Sequence, residues 1–598
     1  MKAASTYGAF NARWLEPEDV ARSFVPTPYF KSLVRYQNSL LMGPRGCGKT
    51  TLLKMLTRRA QRTWVNERLT REGASDEYRS PDFEAIYIAS DVRWSSELIS
   101  LPSSLADAPK RAELLQRSFV SISSIIEATR TFEGILSEEN FDATNLLQAL
   151  VRHFELGPTF PSFAELRIKL RGWMEELQSL LVRSNMEALD ERLGALPSSL
   201  TGHALAGITK ACAIFDEYVS AASPPRWALC FDEIEIAPVW LQTELFKALR
   251  SYDQKFLLKI TWSPLLPTDL IPTQERQHDF ATIKMWHGHV ADARAFCREF
   301  TTRYVRDKFD NQKLAPRDIF GTSLFSQEDS DATQVYRRGN AAWQSMVRLA
   351  SRDVSFREYL QSHGISPEDP VVADTSVRDE SLRKAKPLVM LREAFYGDDN
   401  LQLGRRSRKN IGLYFGEDAI YSMSEGNPRL LAGLLNDLFD TESTRAKATL
   451  SLRPDFQSRI LTAASQRTLS GIRAYPTKSR SDRQSLARLV DRLGHFLRDE
   501  LVVRDFNADP VGSFFVDSDV GPDLLDEIKI GLLIGAFVHV SSKDGDIPSS
   551  VVGCRLRLSY MLSPHFGLLF RNNREVRLST ALRMSQAGQH LMFGFDKP

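Results

Sequence analysis

Two short stretches carry residues whose types and spacing could do phosphate chemistry. Gly43-Pro44-Arg45-Gly46-Cys47-Gly48-Lys49-Thr50 matches GxxxxGK[ST] at every fixed position. In such a loop the glycines let successive backbone amides curl around phosphate oxygens, and the helix that follows adds the positive end of its dipole. Lys49 would reach the β- and γ-phosphates, Thr50 would hold Mg²⁺, and Thr51 closes the candidate nucleotide-binding run that begins at Gly43. A glycine-rich turn with an incidental lysine is the competing account. The second stretch is Trp227-Ala-Leu-Cys-Phe-Asp232-Glu233, an apolar run ending in two carboxylates. Asp232 would act on Mg²⁺, and Glu233 would polarise the attacking water as general base. An acidic helix start, where carboxylates suit the dipole, is the alternative. ATP and Mg²⁺ are the implied cofactors, and the Asp-Glu pair favours hydrolysis over binding alone.

The elements that must position these groups are legible as well. A compact apolar strand at 38–42 enters the loop, and strong helix formers from 49 to 60 leave it. Further strands are expected at 84–90, 226–232, 255–262 and 281–286, with a helix at 238–250. Strands alternating with helices predict an α/β fold: a parallel sheet with helices on both faces. The stretch Leu257-Leu-Lys-Ile-Thr261-Trp262-Ser263-Pro264 ends in small polar residues. Its tip is expected beside Glu233, so Thr261 or Ser263 would orient the water, unless these residues simply end the strand. Between the two phosphate-site motifs lies much more chain than a minimal core needs. Residues 105–222 read as almost wholly helical, an insertion, and insertions on a catalytic scaffold usually bind something.

The chain has 598 residues, 42% hydrophobic and 25% charged, with a formal net charge of +2. That balance excludes a globally basic nucleic-acid coat and an acidic disordered chain. The longest apolar run, residues 530–540, is far short of the ~20 needed to cross a bilayer. The first residues lack a signal-peptide pattern. Five scattered cysteines include no CxxC pair, which argues against a disulfide framework or structural zinc and for a cytoplasmic protein with no membrane partner. The histidines show no HxxxH or HExxH spacing, so no catalytic metal beyond Mg²⁺ is expected. Oxidation of Cys47 inside the loop would obstruct nucleotide binding. Trp94, Trp173, Trp227 and Trp343 are read as core.

Basic residues gather locally. They are the run 404–409, then Lys478, Arg480, Arg483, Arg488 and Arg492, then Arg555, Arg557, Arg571, Arg574 and Arg577. Such clusters would neutralise phosphates of double-stranded DNA, or form solvated faces. Helices expected at 482–502 and 521–537, followed by a two-stranded hairpin at 535–540 and 551–560, outline a winged helix. Its second helix would be the groove reader. The sequence DLLDEIKIGLLIGAFV starts acidic and is otherwise apolar, so protein docking or backbone binding is the alternative use.

GPRGCGKT, LCFDE, ITWSP and Glu425-Gly-Asn-Pro-Arg429-Leu-Leu together resemble the AAA+ and related STAND-type ATPases. With a helical lid and a C-terminal winged helix, the chain is most similar to the origin-recognition-complex initiator branch. That resemblance implies that Arg429, at a helix start in the lid, reaches the γ-phosphate; a solvated helix-start arginine is the other account. It implies a homo-oligomer with an arginine finger, best matched by Arg276 in TQERQHDF and next by Arg250. The expected organisation is an ATPase core at 1–104 and 226–290, the insertion at 105–225, a lid at 291–450 and a winged-helix-like domain at 451–598. The long insertion departs from a compact initiator. The layout also resembles ATPase components of antiphage defence systems, which implies an effector protein partner. The expected activity is a switch in which ATP closes the lid and hydrolysis reopens it.

Overall fold

The computed structural model describes residues 12–71, 80–94, 109–139, 141–219, 226–250, 253–266, 280–286, 290–309, 315–323, 339, 341–370, 378–395, 412–440, 451–476, 485–540, 550–571 and 574–592. The chain forms two compact units. One comprises residues 1–43 and 48–285, the other residues 44–47 and 286–598.

The first unit is built on five strands: β1 (Ser39–Met42), β2 (Glu84–Ala89), β3 (Trp227–Asp232), β4 (Phe256–Trp262) and β5 (Ala281–Lys284). Their order is β2-β3-β4-β1-β5, and every pairing is parallel. Each residue of β1, β3 and β4 is buried. A parallel sheet covered on both faces demands continuous apolar runs, which is how these strands read. Lys259 is the charged exception inside β4. It is fully buried, and its ammonium donates to the carbonyls of Leu33, Arg35 and Gln37 at 2.9, 2.9 and 2.7 Å. The stem of the sheet is thereby tied to the segment that feeds β1.

The helix after the phosphate loop is shorter than the sequence pattern predicts. α1 covers Lys49–Lys54, and a separate α2 covers Arg58–Arg71. The break falls at Thr57, whose hydroxyl donates to Lys54 O at 2.7 Å and so competes with a continuing helix. The helical block between β2 and β3 contains α3 (Pro109–Glu139), α4 (Phe163–Val182) and α5 (Ala206–Tyr218). It is anchored by an aromatic triad. The Phe132 and Phe215 rings stack at 4.6 Å between centroids, and both meet Trp227 edge-on at 5.5 Å. Trp227 opens β3, so the inserted helices are seated on the strand that ends in Asp232. Helix α6 (Val239–Arg250) then leads to β4.

The second unit begins with α7 (Val290–Phe309) and includes α8 (Arg378–Phe395), α9 (Glu417–Ser424), α10 (Pro428–Phe439) and α11 (Pro454–Ala474). Its last part alternates α12 (Leu486–Val502), β6 (Val511–Phe515), α13 (Pro522–Ile534), β7 (Phe537–His539), β8 (Arg555–Leu558), β9 (Arg574–Arg577) and α14 (Leu578–Met592). The four strands form one sheet in the order β7-β8-β6-β9. β7 and β6 run antiparallel to β8, while β9 runs parallel to β6. The hairpin of β7 and β8 was expected; β6 and β9 were not. Arg392 is locked inside this unit, donating to Asp353 Oδ2 at 2.7 Å, Leu501 O at 2.8 Å and Arg504 O at 2.5 Å. Among the described residues, no helix is long and apolar enough to cross a membrane.

Candidate functional site

Parallel strands present their C-terminal ends on one edge, where open α/β sheets bind ligands. β4 lies between β1, which feeds the phosphate loop, and β3, which ends in Asp232. Gly43 continues this edge by donating its N–H to Trp262 O at 3.2 Å. Gly48 adopts φ 99° at the start of α1, a left-handed conformation that a side chain resists, and it turns the chain into the helix. Lys49 is buried, and its ammonium donates to Gly43 O at 2.5 Å, folded back across its own loop.

Asp232 is the hub of the site. It is 2% exposed, and its carboxylate accepts from three hydroxyls. Thr50 Oγ1 donates to Asp232 Oδ2 at 2.7 Å, Tyr87 OH donates to the same oxygen at 2.9 Å, and Thr261 Oγ1 donates to Oδ1 at 2.7 Å. From the end of β3 the carboxylate therefore reaches β2, β4 and the first turn of α1. Burial, and next the charge of Asp232, push the Tyr87 phenol well above its ordinary pKa, so it remains a donor. Glu233 follows in a left-handed conformation, φ 55° and ψ 45°, with its N–H donating to Thr261 Oγ1 at 2.7 Å. That conformation is costly for a residue with a side chain and is fixed here by the Thr261 hydroxyl. Its carboxylate pairs with Arg13, whose Nη1 lies 2.7 Å from Oε2. Ser263 Oγ donates to Leu265 O at 3.2 Å, in the turn after β4.

Glu235 brings a third carboxyl to this edge. Its Oε2 is buried without a hydrogen-bond partner among the described residues. Burial pushes the carboxyl up to about 7, with the Lys49 charge the largest opposing influence.

The donor set suits a triphosphate with Mg²⁺. That cation favours one or two hard oxygen ligands from protein, with phosphates and water completing its shell. Thr50 and Asp232 supply a hydroxyl and a carboxylate already in contact. Among the described residues no cluster of three or more His, Cys, Asp or Glu could form an all-protein metal cage. Such a Mg²⁺ would therefore be held by Thr50 and Asp232 together with nucleotide.

A family model described as ORC-CDC6-like matches residues 5–578, nearly the whole chain. The chain belongs to the ORC-CDC6-like family. Membership implies an AAA+ ATPase, consistent with the parallel sheet, the loop and the acidic strand end. No curated protein and no solved structure matches the chain.

The remaining sequence-predicted residues of this ORC-CDC6-like chain fall as follows. Pro44, Arg45, Gly46 and Cys47 group with the second unit. Within it, Asn427 Nδ2 donates to Arg45 O at 3.0 Å, and Arg429 N reaches Gly46 O at 3.5 Å. Asn427 also caps α10 by accepting from the amides of Arg429 and Leu430. Glu425 of the same motif is structural: Arg557 Nη1, Ser559 Oγ and Tyr560 N all donate to its carboxylate. Thr51 is half-buried in α1. Arg250 ends α6, with its Nε buried and unpaired among the described residues. Arg276 lies outside the described residues, as do 404–409, Lys478, Arg480 and Arg483.

Several arginines read as a phosphate-binding surface do other work. Arg557 is buried against Glu425, Arg492 donates to Leu582 O at 2.7 Å, and Arg555 pairs with Ser513 and Glu575. Arg488, Arg574 and Arg577 are exposed. Sequence reasoning missed Tyr87, Arg13 and Glu235. Tyr87 had a faint signal, a hydroxyl inside an apolar strand; Arg13 had none.

Proposed function

We propose that this chain is an ATP-hydrolysing molecular switch that works in association with DNA. The observation that carries the ATPase reading is the direct Thr50–Asp232 bond beside Glu233, which supports one site built from the phosphate loop and the acidic strand end. In this reading Lys49 turns from Gly43 O to the phosphates, and the loop amides cradle them. Bound Mg²⁺ would neutralise phosphate charge. Tyr87 and Thr261 hold the Asp232 carboxylate aimed at Thr50. Glu233 takes the proton of the attacking water, held in place by its strained backbone and the Thr261 hydroxyl. Arg429 is the proposed γ-phosphate reporter, supported by its position at the start of α10 in the unit that also holds Gly46. An arginine finger from a neighbouring copy, Arg276 or Arg250, completes the proposal.

The proposed DNA contact is through the C-terminal four-stranded domain, read as winged-helix-like, where Arg488, Arg574 and Arg577 remain exposed. A second reading, an ATPase scaffold that recognises a protein partner in a defence system, is favoured by α13, whose outward residues Asp523 and Asp526 are acidic.

The test is ATP binding and hydrolysis by the full chain, with and without duplex DNA. Lys49→Ala is expected to abolish binding. Glu233→Gln is expected to bind ATP while losing about a hundredfold or more in turnover. Duplex DNA is expected to raise turnover in a salt-sensitive manner. Normal turnover by Glu233→Gln removes the base assignment; turnover indifferent to DNA at every salt concentration favours the protein-partner reading.

A further inference from the structure

Glu233, the proposed base, is held by a residue from the start of the chain. Arg13 Nη1 donates to Glu233 Oε2 at 2.7 Å, and Arg13 Nη2 donates to Ser90 O at 2.5 Å. Ser90 belongs to the same edge: its N–H and its hydroxyl both donate to Asp232 O, at 3.1 and 2.7 Å. One guanidinium thus spans the ends of β2 and β3 and occupies the carboxylate that must accept a proton.

The segment bearing Arg13 is itself clasped by the helices that follow the phosphate loop. Lys54 ends α1, which opens with Lys49 and Thr50. Its ammonium donates to the carbonyls of Ala12, Arg13 and Leu15 at 2.8, 3.2 and 2.6 Å. Arg59 of α2 pairs with Glu16 and Glu18 just beyond. Burial lowers the Lys54 ammonium from its ordinary pKa, and Glu16 opposes this most. The clasp is therefore continuous from nucleotide loop to base: α1, Lys54, residues 12–15, Arg13, Glu233.

The pair is built to open. The side chains of Arg13 and Glu233 are 31% and 35% exposed, and ion pairs at that depth contribute little stability. Beside them lies a cavity of about 430 Å³ with Arg13 and Trp14 in its wall. The inserted helices also line it, with Glu127 of α3 and Glu175 of α4. Arg13 therefore has open space and further carboxylates in the wall of the same cavity, Glu127 among them already held by Arg130.

We propose that residues 12–17 form an inhibitory latch. Arg13 restrains Glu233 and slows hydrolysis without impeding nucleotide binding, and a shift of the inserted helices draws the segment into the cavity and releases the base. This rests on the reading of Glu233 as general base. Arg13 acts through Glu233 and is a positioning residue. The insertion thereby gains a role, to set the rate at which the switch resets.

The experiment measures steady-state ATP hydrolysis and ATP affinity for the full chain and its Arg13→Ala, Arg13→Lys, Lys54→Met and Arg13→Ala/Glu233→Gln forms. Arg13→Ala is expected to raise kcat by about tenfold or more with KM and Kd for ATP changed less than about twofold. Arg13→Lys keeps a cation on Glu233 and is expected to stay near the wild-type rate. Lys54→Met touches neither Glu233 nor Arg13's side chain and is expected to raise kcat by loosening the clasp, with folding checked by thermal unfolding. The double form is expected to fall to background. A kcat for Arg13→Ala at or below that of a hydrolysing wild type overturns the latch and leaves the ATPase reading standing. ATP binding without hydrolysis in every form removes both.

Discussion

At the scale of single residues, burial of a third carboxyl beside the proposed Mg²⁺ ligand Asp232 and the proposed base Glu233 carries a cost. Glu235 is the residue that bears the cost. Its carboxyl titrates near 7 in the folded chain against an ordinary value of 4.5. The unfolded chain gives up this proton first, so the stability that goes with the protonated carboxyl is fully present below about 4.5 and is lost as pH rises through about 7. Glu235→Gln is therefore expected to leave stability nearly unchanged at pH 5 and to raise it at pH 8, by an amount on the order of 3 kcal/mol at most. Unfolding midpoints of the two proteins across that range check this; a gap that does not widen with pH contradicts it. The loop and the Asp-Glu pair were legible because phosphate binding dictates residue types at fixed spacing. Tyr87 and Arg13 were not, since their roles depend on which strand end and which terminal segment the fold brings to Asp232 and Glu233.

At the scale of elements, packing overrules local propensity in several places. Gly531 sits inside α13, where alanine would ordinarily stabilise a helix by about 1 kcal/mol. Here an added Cβ would lie 2.4 Å from the Phe537 ring and 3.1 Å from Leu486. The close approach of α13 to β7 and α12 depends on the missing side chain. Gly531→Ala is expected to destabilise the second unit by about 1–3 kcal/mol, seen as a lower unfolding midpoint; an unchanged or raised midpoint would show that propensity governs. The same competition explains what the sequence concealed. β1, β3 and β4 are largely apolar runs buried along their whole length and were readable. β6 is interrupted by a Gly-Ser pair and β9 is Arg-Glu-Val-Arg, so neither reads as a continuous apolar run; β6 is defined by pairing with β8 and β9, and β9 by pairing with β6. The helix after the loop looked continuous because nothing in its apolar pattern registers the Thr57 hydroxyl.

At the scale of the whole molecule, a chain with a formal net charge of +2 gathers carboxylates at one strand edge, Asp232, Glu233 and Glu235. The ORC-CDC6-like assignment covers residues 5–578 and accounts for the parallel core. The long insertion was visible as helical sequence, and its seat on β3 through Phe132, Phe215 and Trp227 was not. That seat places the inserted helices next to the strand that ends in Asp232, where a regulatory element has most influence. In the proposed function the phosphate loop and Asp232 share one Mg²⁺–triphosphate. That sharing is tested most directly by titrating the full chain and Asp232→Asn with ATP, with and without Mg²⁺. Mg²⁺ is expected to tighten wild-type binding by about tenfold or more, near 1.4 kcal/mol. Asp232→Asn is expected to lose most of that gain while binding metal-free ATP as before. Wild-type binding indifferent to Mg²⁺, or a full Mg²⁺ gain retained by Asp232→Asn, would contradict that sharing.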